Sequence, residues 1–388
     1  MPSNSPSLST SPRTVALPHT SRSCFSATAA SQPNPFHIFR EIPPLRDWRR
    51  RVLRSPDERT VGLVPTMGAL HAGHFSLIRQ AAQENSDVIV SIYLNPTQFA
   101  ANEDFDSYPK TWDSDLQALR ELDEEFAGAE LPQSPGSKPY GRISAVFAPT
   151  TRTMYPTLPP SSDPQGVGSF VTITPLATLL EGASRPVFFR GVATVCAKLF
   201  NIVTPERVYF GQKDVQQTVV IRRLVKDLCI GTEVRVGPTV REEPDGLALS
   251  SRNVYLGERR RKVAGTLIRA LRTVEERYLT RHGVHRDELL GPALALAKGT
   301  AAEQATLRPS KRARFEVDYI SLADPDTMEE LAEVDPTRGA ILSGAIRMLP
   351  VEEPASGEDC GLGGGGAAVR LIDNLILPPV VEGGSLDG

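Results

Sequence analysis

The chain has 388 residues, of which 40% are hydrophobic and 23% charged, values that are ordinary for a globular protein and allow a large core and two domains. The formal net charge of -3 gives no general attraction for nucleic acid or for an anionic membrane, so any binding of phosphate must come from local groups. No apolar run reaches the roughly 18 residues that a membrane-spanning helix needs. The four cysteines lack Cys-x-x-Cys spacing, which argues against a zinc site or a disulfide framework and fits a reducing compartment.

Residues 1–36 are rich in Ser, Pro, Thr and Ala, and the first acidic residue of the chain is Glu41. Such a segment cannot bury enough surface to offset the entropy lost on ordering, so we predict that it is disordered. Arginine and serine without acidic residues are also typical of a mitochondrial transit peptide, although the prolines of this segment oppose an amphipathic helix. We therefore expect a cytoplasmic protein, with a mitochondrial location as the alternative.

An α/β pattern begins at residue 60. A predicted strand at 60–64 leads into a helix that extends to about Gln83, and residues 87–94 form a nearly continuous apolar run, as in a parallel strand covered on both faces. Strand, helix and strand in so short a stretch indicate a right-handed crossover. We predict an α/β domain with a parallel sheet over residues 37–239. Its other predicted elements are a short helix through 116–122, an exposed loop insert at about 126–143, a strand at 144–148, a loop at 156–168, a helix that begins at Gly191, a strand at 207–210 with a following helix, and a strand at 232–239.

The character of the chain changes near Val240. Beyond this point polar and apolar residues alternate in the predicted strands, which implies a sheet with one solvated face. We therefore predict a smaller α+β domain over residues 240–388. Its predicted elements are a long helix with an apolar stripe from Val263 to Tyr278 and strands at 315–322, at 340–348 and near 369–372.

Two loop inserts interrupt these elements. The insert at about 126–143 is rich in Pro, Gly and Ser and is predicted to be an exposed loop that the chemistry does not need. A Pro/Glu/Ser-rich insert at about 349–368 contains the consecutive glycines 363–366. No Gly-Lys-Ser/Thr follows these glycines, so we interpret them as a flexible linker and not as a phosphate loop.

The segment 61–74, Val-Gly-Leu-Val-Pro-Thr-Met-Gly-Ala-Leu-His-Ala-Gly-His, predicts a buried strand, a Pro/Gly turn and the start of a helix. Such a turn brings the N-terminus of the helix to the carboxyl edge of the sheet, where phosphates bind. Gly68 and Gly73 lack a Cβ and allow the backbone to approach a ligand. His71 and His74 are three residues apart, so both would lie on one helical face and donate hydrogen bonds to a phosphate. A lone histidine more often has a structural role, so this motif needs support from others.

Three other segments provide that support. The design of strand, glycine turn, polar cluster and helix recurs at 207–217, where Gly-Gln-Lys-Asp-Val-Gln-Gln follows the strand. Residues 95–99, Asn-Pro-Thr-Gln-Phe, also follow a predicted strand at its carboxyl end. The loop 241–253, Arg-Glu-Glu-Pro-Asp-Gly-Leu-Ala-Leu-Ser-Ser-Arg-Asn, is polar and rich in groups that bind anions. With so little net charge on the chain, we expect the ligand to be a small anion and not a polynucleotide.

In their order and intervals, four segments resemble the pantoate–β-alanine ligases (pantothenate synthetases) of the His-x-Gly-His nucleotidyltransferase superfamily. These segments are residues 65–74, 95–99, 210–217 and 245–253. The likeness extends from about Ile38 to Leu377 and is interrupted by the inserts. It implies an α/β fold with a Rossmann-like, parallel-sheet nucleotide-binding domain and a smaller α+β C-terminal lid domain, in a homodimer that uses ATP and Mg²⁺. It also implies the ATP-dependent condensation of pantoate with β-alanine to give pantothenate, AMP and pyrophosphate through a pantoyl adenylate, a step of coenzyme A biosynthesis.

The resemblance further implies roles for individual residues. The implied catalytic residues are His74, His71, Lys213 and Arg252, with His74 as the proton donor. Gln98 and Gln217 would hold pantoate, and Gln98 would also face β-alanine. The implied ATP-binding residues are Met67, Gly68, Ala69, Leu70, His71, Ala72, Gly73, His74, Gly211, Gln212, Lys213, Asp214, Val240, Leu249, Ser250, Ser251 and Arg252.

The chemistry of these side chains fits that reaction. The carboxylate of pantoate is ionised well above a pKa of about 4 and needs no base, so catalysis must align it with an anionic α-phosphate and neutralise charge. Lys213, Arg252, the two imidazoles and Mg²⁺ would do so as pyrophosphate leaves. The amides of Gln98 and Gln217 would bind pantoate without pairing off the charge that attacks. Asp214 fits a ligand of ribose or Mg²⁺ better than a base.

Two alternatives stay open. One is another adenylyl or cytidylyl transferase of the same fold, although a phosphorylated acceptor would favour Arg or Lys over Gln98 and Gln217. The other is a tRNA-binding relative or a non-catalytic nucleotide-binding protein. The lack of a basic face disfavours a polynucleotide ligand, and the intact His, Lys, Ser and Arg positions disfavour a non-catalytic protein. We expect no nucleic-acid and no membrane partner. Tyr108, Thr111 and Lys198 also have structural interpretations, as ordinary packing, a helix cap and a solvated helix residue respectively.

The sequence departs from the family pattern beside three proposed contacts. Val187 and Phe188 stand where Gly-His commonly precedes the Phe-Arg-Gly-Val run. Gln212 replaces the usual Glu, and Pro244 lengthens its loop by one residue. These departures predict altered ligand affinity, but none removes a residue to which chemistry is assigned.

Overall fold

The structure, a computed structural model of the chain, describes residues 35–99, 105–129, 139–157, 159–163, 165–281 and 284–380. Within it, contacts group the chain from Pro35 onward into one unit. The predicted disordered segment up to residue 34, and residues 130–138 of the first predicted insert, lie outside the described residues. The division into two domains near Val240 stays a prediction.

Strands and helices alternate through the first two thirds of the chain. The strands are β1 (His37–Phe39), β2 (Val61–Thr66), β3 (Asp87–Ile92), β4 (Arg142–Phe147), β5 (Arg207–Gly211), β6 (Glu233–Gly237), β7 (Phe315–Ala323), β8 (Ala340–Met348) and β9 (Val369–Leu377). The helices are α1 (Ile42–Leu53), α2 (Ala72–Glu84), α3 (Trp112–Gly128), α4 (Thr151–Met154), α5 (Glu181–Ser184), α6 (Phe188–Val203), α7 (Val215–Asp227), α8 (Gly257–Ala264), α9 (Thr266–Arg281) and α10 (Arg286–Thr306). Short 3-10 turns lie at Pro96–Gln98, Leu176–Thr178, Gln212–Asp214 and Ser251–Tyr255.

The first six strands form a parallel sheet in the order β1-β4-β3-β2-β5-β6, which confirms the predicted α/β fold. The central strands β2 and β3 are largely apolar because both faces of the sheet are covered there, and five of the six residues of each strand are buried. The strand order reverses direction between β2 and β5, where Gly62 and Leu63 are the register partners of Arg207 and Val208. At such a switch point the loops that follow the two strands diverge and leave a crevice. The two glycine turns of the sequence therefore flank one crevice.

Strands β7, β8 and β9 form a separate antiparallel sheet. The prediction of one solvated face is wrong for the central strand, since eight of the nine β8 residues are buried. Leu342 and Ile346 belong to the core that includes residues of α9 and α10, whereas Ile341 belongs to the core that lies against the parallel sheet. The second face is thus covered by the chain itself.

Several helices differ from prediction. The long helix predicted over 263–278 is two helices, α8 and α9, that meet at Gly265. Helix α6 begins earlier than predicted, at Phe188, and α3 extends to Gly128, into the predicted loop, because Phe126 is buried on its apolar face. Helices α1 and α10 were not predicted. Within the described ranges, no helix has the length and apolar character needed to cross a membrane.

Candidate active site

A cleft of about 1060 Å³ opens at the switch point, lined by the turns after β2 and β5, by α6 and by strands of the antiparallel sheet. Most residues proposed from the sequence line it. They are Met67, His71, Gly73, His74, Gln98, Gly211, Lys213, Asp214, Gln217, Val240, Leu249, Ser250, Ser251 and Arg252. The structure therefore brings together every side chain to which a catalytic or substrate-binding role was assigned.

The turn after β2 is held by a buried carboxylate that the sequence did not reveal. Gly68 and Ala69 adopt left-handed φ angles of 86° and 51°. Asp115, which is 4% exposed in the first turn of α3, accepts hydrogen bonds from the backbone N–H groups of Ala69 (3.0 Å) and Leu70 (2.9 Å). The hydroxyl of Thr111 donates a third bond to it, at 3.0 Å. An acidic residue at the start of a helix is common, and no local pattern indicates that this one binds a distant turn.

His71 and His74 lie side by side at the start of α2, with ring centroids 4.1 Å apart. The backbone N–H of His71 donates to Nδ1 of His74 at 3.3 Å, and the backbone N–H of Gly73 donates to Nδ1 of His71 at 3.2 Å. Both Nδ1 atoms are acceptors, so the proton of each neutral ring resides on Nε2. A Cβ at Gly73 would lie 2.9 Å from the His71 ring, so this glycine makes room for an imidazole.

Both imidazoles are neutral at physiological pH. Burial lowers the pKa of His71 to about 4, and the ammonium group of Lys213 lowers it further, against opposing effects of Asp214 and Glu242. Burial lowers the pKa of His74 to about 3, with further lowering by His71 and Lys213. The two rings can therefore donate hydrogen bonds to phosphate oxygens, while the positive charge of the cleft resides on its lysine and arginine side chains.

The turn after β5 carries Lys213 and Asp214, with Nζ of the lysine 3.6 Å from the carboxylate. Asn374 of β9 is 1% exposed and donates through Nδ2 to the carbonyls of Gln212 (2.8 Å) and Lys213 (2.9 Å). In return, Nε2 of Gln212 donates to Oδ1 of Asn374 at 3.3 Å. A strand of the antiparallel sheet thus fixes the backbone that presents the lysine.

Gln98 lies in the turn after β3, beside the buried Asn95. Its Oε1 accepts a hydrogen bond from Nδ2 of Asn95 at 2.9 Å, and its carbonyl accepts one from Arg185 at 3.0 Å. Because Oε1 is already bonded, the amide NH₂ is the end of Gln98 that can donate to a substrate oxygen. Gln217, in the first turn of α7, lines the same cleft.

The loop that carries Ser250 and Arg252 is held by a hydrogen bond within the loop and by a tyrosine that lies before α3. Oγ of Ser250 accepts a hydrogen bond from the backbone N–H of Arg252 at 3.3 Å, which caps the 3-10 turn Ser251–Tyr255. The hydroxyl of Tyr108, a residue that is 5% exposed, shares a hydrogen bond of 3.0 Å with Oγ of Ser251. Tyr108 therefore supports the site and is more than ordinary packing.

Five residues proposed to bind ATP do not line the cleft. They are Gly68, Ala69, Leu70, Ala72 and Gln212. The first three form the turn that Asp115 holds, and the side chain of Gln212 faces Asn374. Thr111 stands at the N-cap position of α3, but its hydroxyl donates to Asp115 and caps no helical N–H.

Two other side chains differ from their sequence interpretation. Lys198 is not a solvated helix residue: Nζ donates to the carbonyl of Met154 at 3.0 Å and lies 4.8 Å from the ring centroid of Tyr155, and burial lowers the pKa of the amine. Phe188, which departs from the family pattern, stacks on the guanidinium of Arg185 at 3.8 Å, and both side chains line the cleft. This aromatic ring therefore places an arginine beside the proposed substrates.

An ion-pair network that the sequence did not reveal joins β9 to a wall of the cleft. Arg370 donates to both carboxylate oxygens of Glu181, at 2.5 and 2.7 Å, and to Asp318 at 2.8 Å. The hydroxyl of Tyr319 also donates to Glu181, at 2.8 Å. Although burial acts in the opposite direction, the two carboxylates raise the pKa of Arg370 above its usual range. Glu181 of α5 is 7% exposed, so its carboxylate forms a buried link between α5 and the antiparallel sheet.

Known proteins share both the sequence and the fold. The sequence profile of the pantoate–β-alanine ligase family matches residues 37–376. The pantothenate synthetase of Roseiflexus castenholzii is 44% identical over 327 residues, which cover 84% of this chain and 96% of that protein. The solved pantothenate synthetase of Thermus thermophilus matches with a TM-score of 0.66 and 35% identity, over 89% of this chain and 100% of that chain.

A second solved structure is that of the pantoate–β-alanine ligase of Francisella tularensis in complex with beta-gamma ATP and beta-alanine. It matches with a TM-score of 0.58 and 29% identity, over 88% of this chain and 97% of that chain. These likenesses span almost the whole length of each relative and include all the segments that build the cleft. The chain belongs to the pantoate–β-alanine ligase family.

Proposed function

We propose that this cleft joins pantoate to β-alanine in two steps, with pantoyl adenylate as the intermediate. The observation that carries the proposal is the convergence of Lys213, Arg252 and two neutral imidazoles with the amides of Gln98 and Gln217 on one cleft. The first set fits a polyphosphate, and the second fits the carboxylate and hydroxyl groups of pantoate. Family membership supports the overall reaction, and the Francisella relative was solved in complex with beta-gamma ATP and beta-alanine.

In the first step, a carboxylate oxygen of pantoate attacks the α-phosphorus of ATP and pyrophosphate leaves. The attacking group is already ionised at neutral pH, so the protein has only to align it and offset negative charge. Lys213 lies close enough to both imidazoles to lower their pKa values, so all three groups share the space proposed for phosphate. Nε2–H of each ring would donate to phosphate oxygens, and Lys213 and Arg252 would offset the charge that develops on pyrophosphate.

In the second step, the neutral amine of β-alanine attacks the carbonyl carbon of the adenylate. The bond between that carbon and the bridging oxygen breaks, AMP leaves, and the amine loses a proton. Gln98 is suited to hold the acyl group during this step, because its carbonyl and Oε1 are fixed by Arg185 and Asn95. A fixed donor limits the positions that the acyl carbon can adopt relative to the amine.

Mg²⁺ is part of the proposal as the companion of ATP. Mg²⁺ usually keeps several waters and is held by substrate phosphates with one or two carboxylates. Asp214 lines the cleft beside Lys213, so its carboxylate would hold the ion together with the phosphates. Across the described residues, no group of three His, Cys, Asp or Glu side chains is arranged for a metal, and the donor set fits an ion bound mainly by the nucleotide. When bound, the ion would offset charge on the leaving pyrophosphate.

The homodimer and the cytoplasmic location that the resemblance and composition suggest are also proposals. Sedimentation equilibrium would show twice the mass of the chain if the protein is a dimer. Fluorescent fusions with and without residues 1–36 would separate the locations. Mitochondrial signal that disappears when these residues are removed would favour the transit peptide.

The experiment that tests the reaction uses pantoate labelled with oxygen-18 in its carboxylate. Purified protein with ATP, Mg²⁺, labelled pantoate and β-alanine should give pantothenate, pyrophosphate and AMP that carries the label, because the bridging oxygen of the adenylate comes from pantoate. Unlabelled AMP would refute the adenylate. Pyrophosphate release with a phosphorylated acceptor, but not with pantoate, would favour another adenylyl or cytidylyl transferase, and no turnover at all would favour a non-catalytic nucleotide-binding protein.

The substrate role of the glutamines has its own test. Gln98→Leu and Gln217→Leu should each raise the KM for pantoate about tenfold or more, because a hydrogen bond to a charged group contributes about 1.5–3 kcal/mol. The KM for ATP should change little. Gln117→Leu, on the exposed face of α3, is the matched control. A rise in KM for ATP alone would contradict the assignment.

A further inference from the structure

The segment 349–368, predicted from the sequence to be a loop with a flexible glycine linker, contains no helix or strand but makes specific backbone contacts. Strand β8 ends at Met348 and β9 begins at Val369, and these two residues are register partners. A two-residue turn can join antiparallel strands at such a point, so the hairpin itself does not need the longer segment. The segment nevertheless makes defined contacts, including one of 2.9 Å from the backbone N–H of Val351 to the carbonyl of Gly365. The flexibility of its glycines stays a prediction.

The segment and the start of α8 approach each other through their backbones. Gly257 and Gly361 have left-handed φ angles of 63° and 79°. A Cβ on Gly257 would lie 2.4 Å from the carbonyl carbon of Cys360, and a Cβ on Gly361 would lie 2.5 Å from the carbonyl carbon of Tyr255. Each glycine thus allows a contact that any other residue would block.

Hydrogen bonds join the same two stretches of backbone. The N–H of Leu362 donates to the carbonyl of Val254 at 2.8 Å, and the N–H of Glu258 donates to the carbonyl of Asp359 at 3.0 Å. Leu362 also lines the cleft, although it is 51% exposed. Residues 359–362 of the segment are therefore bonded to the end of the 3-10 turn Ser251–Tyr255 and to the start of α8, and Leu362 forms part of the cleft wall.

Arg260 of α8 fastens this contact. It is 1% exposed, and its guanidinium bonds to backbone carbonyls on both sides. On the side of the 3-10 turn, Nε donates to Leu256 at 3.0 Å and Nη2 donates to Tyr255. On the side of the segment, Nη1 donates to Ala367 at 2.7 Å and Nη2 donates to Cys360 at 3.3 Å. Removing this side chain would leave buried carbonyls of both stretches without these donors.

The opposite side of the 3-10 turn is held by the stretch that precedes α3. The hydroxyl of Tyr108 bonds to Oγ of Ser251 at 3.0 Å, and the hydroxyl of Tyr255 donates to the carbonyl of Ser107 at 3.0 Å. The turn that carries Ser251 and Arg252 is therefore clamped between two stretches, one on each side. A clamped turn presents its donors to a ligand without first losing conformational entropy.

We propose that segment 349–368 is a positioning element for ATP, with Arg260 as its positioning residue. It holds the turn Ser251–Tyr255 against Tyr108, so that the donors of this turn meet the phosphates in one geometry. The inference rests on the proposed role of Ser251 and Arg252 in ATP binding, and it assigns a role in the reaction to a segment that the hairpin does not need.

Two variants and one control test the proposal. One variant replaces residues 349–368 by Asn-Gly, and the other is Arg260→Met, which keeps an unbranched apolar stem but removes the guanidinium donors. Both should raise the KM and the Kd for ATP about tenfold or more while the KM for pantoate and for β-alanine changes much less. Hydrogen exchange at the amides of 251–256 should become faster in both. Lys262→Met, an exposed residue on the same helix, should behave like the wild type in every measurement.

Wild-type ATP affinity in both variants would overturn the proposal, and so would faster exchange without a change in ATP affinity. If Arg260→Met does not fold, Gly361→Ala provides the same test, because it adds one methyl group at the contact with Tyr255 and leaves the arginine in place. Exchange and direct ATP binding are measured without turnover. A wild-type protein that binds ATP but makes no pantothenate would therefore refute the proposed reaction and leave the positioning role intact. An active wild type whose variants bind ATP normally would refute the positioning role and leave the proposed reaction intact.

Discussion

Replacement of Asp115 by asparagine tests whether the turn after β2 depends on one buried carboxylate. The carboxylate accepts from Ala69, Leu70 and Thr111 at 2.9 to 3.0 Å. Asparagine has a single acceptor oxygen, so in either orientation its NH₂ group faces at least one backbone N–H. A hydrogen bond to a charged group contributes about 1.5–3 kcal/mol, and a buried donor left without a partner costs about 1–3 kcal/mol. We therefore expect Asp115→Asn to lower the free energy of unfolding by about 3 kcal/mol.

The same change should reduce kcat/KM for ATP about tenfold or more, because the turn positions both imidazoles. Urea unfolding at pH 7 and steady-state kinetics measure the two effects. Asp113→Asn is the matched control, since it removes the same charge from the same helical turn at an exposed position. If the free energies of unfolding of the two variants agree within about 0.5 kcal/mol, and their ATP kinetics are equal, the carboxylate does not hold the turn and the reasoning is refuted.

Three other changes have defined outcomes. Lys213→Met removes an ammonium group that is proposed to offset charge on the leaving pyrophosphate, so kcat should fall about a hundredfold or more. Because the same ammonium lowers the pKa of both imidazoles, these two pKa values should rise in an NMR titration. Unchanged pKa values would contradict the proposed proximity of Lys213 to the two rings. Because the folded-state pKa values of His71 and His74, about 4 and about 3, lie below the ordinary 6.5, the unfolded chain binds more protons below pH 6.5 and stability falls as the pH falls. Each imidazole should lower the free energy of unfolding by on the order of 2 kcal/mol between pH 7 and pH 5. A variant with both His71→Gln and His74→Gln should therefore show a smaller difference between these two pH values in urea unfolding than the wild type does. An equal difference in the two proteins would show that the rings are not neutral. Arg370→Met leaves Glu181 buried without its cationic partner and should lower the free energy of unfolding by about 3–5 kcal/mol, whereas a thermal midpoint equal to that of the wild type would show that the ion pair does not link α5 to the antiparallel sheet.

The parallel sheet could be predicted because buried parallel strands are continuous apolar runs and their turns need glycine. Strands β2, β3 and β5 begin and end within two residues of the predicted positions. Helix α1 has proline only in its first turn, a position that helices tolerate, so the helical spacing of Leu45, Trp48 and Val52 could have revealed it. Helix α10 escaped prediction because Pro292 lies inside it and a proline usually ends a helix. The division of the predicted long helix at Gly265 has a similar origin, since a single glycine within an apolar stripe does not reveal a break.

The cleft was predictable only in part. His71, His74, Lys213 and the serine loop belong to short motifs at strand ends, and the sequence reveals such motifs directly. Asp115 and Asn374 act instead through backbone groups that lie 45 and 162 residues away along the chain. No local spacing records a pairing of that kind, because only the folded chain brings the two partners together.

Strand β9 lies late in the chain, yet it fixes the backbone at Lys213 through Asn374 and a wall of the cleft through Arg370. Once the ribosome has translated the sequence through Arg252, the nascent chain contains every side chain proposed to touch ATP, but it does not yet contain Arg370 or Asn374. A nascent polypeptide of that length would contain the side chains that bind ATP but would lack the contacts of β9 that fix their positions. A nonsense mutation just upstream of β9 should therefore abolish nucleotide binding even though it spares all the motifs by which the family is identified.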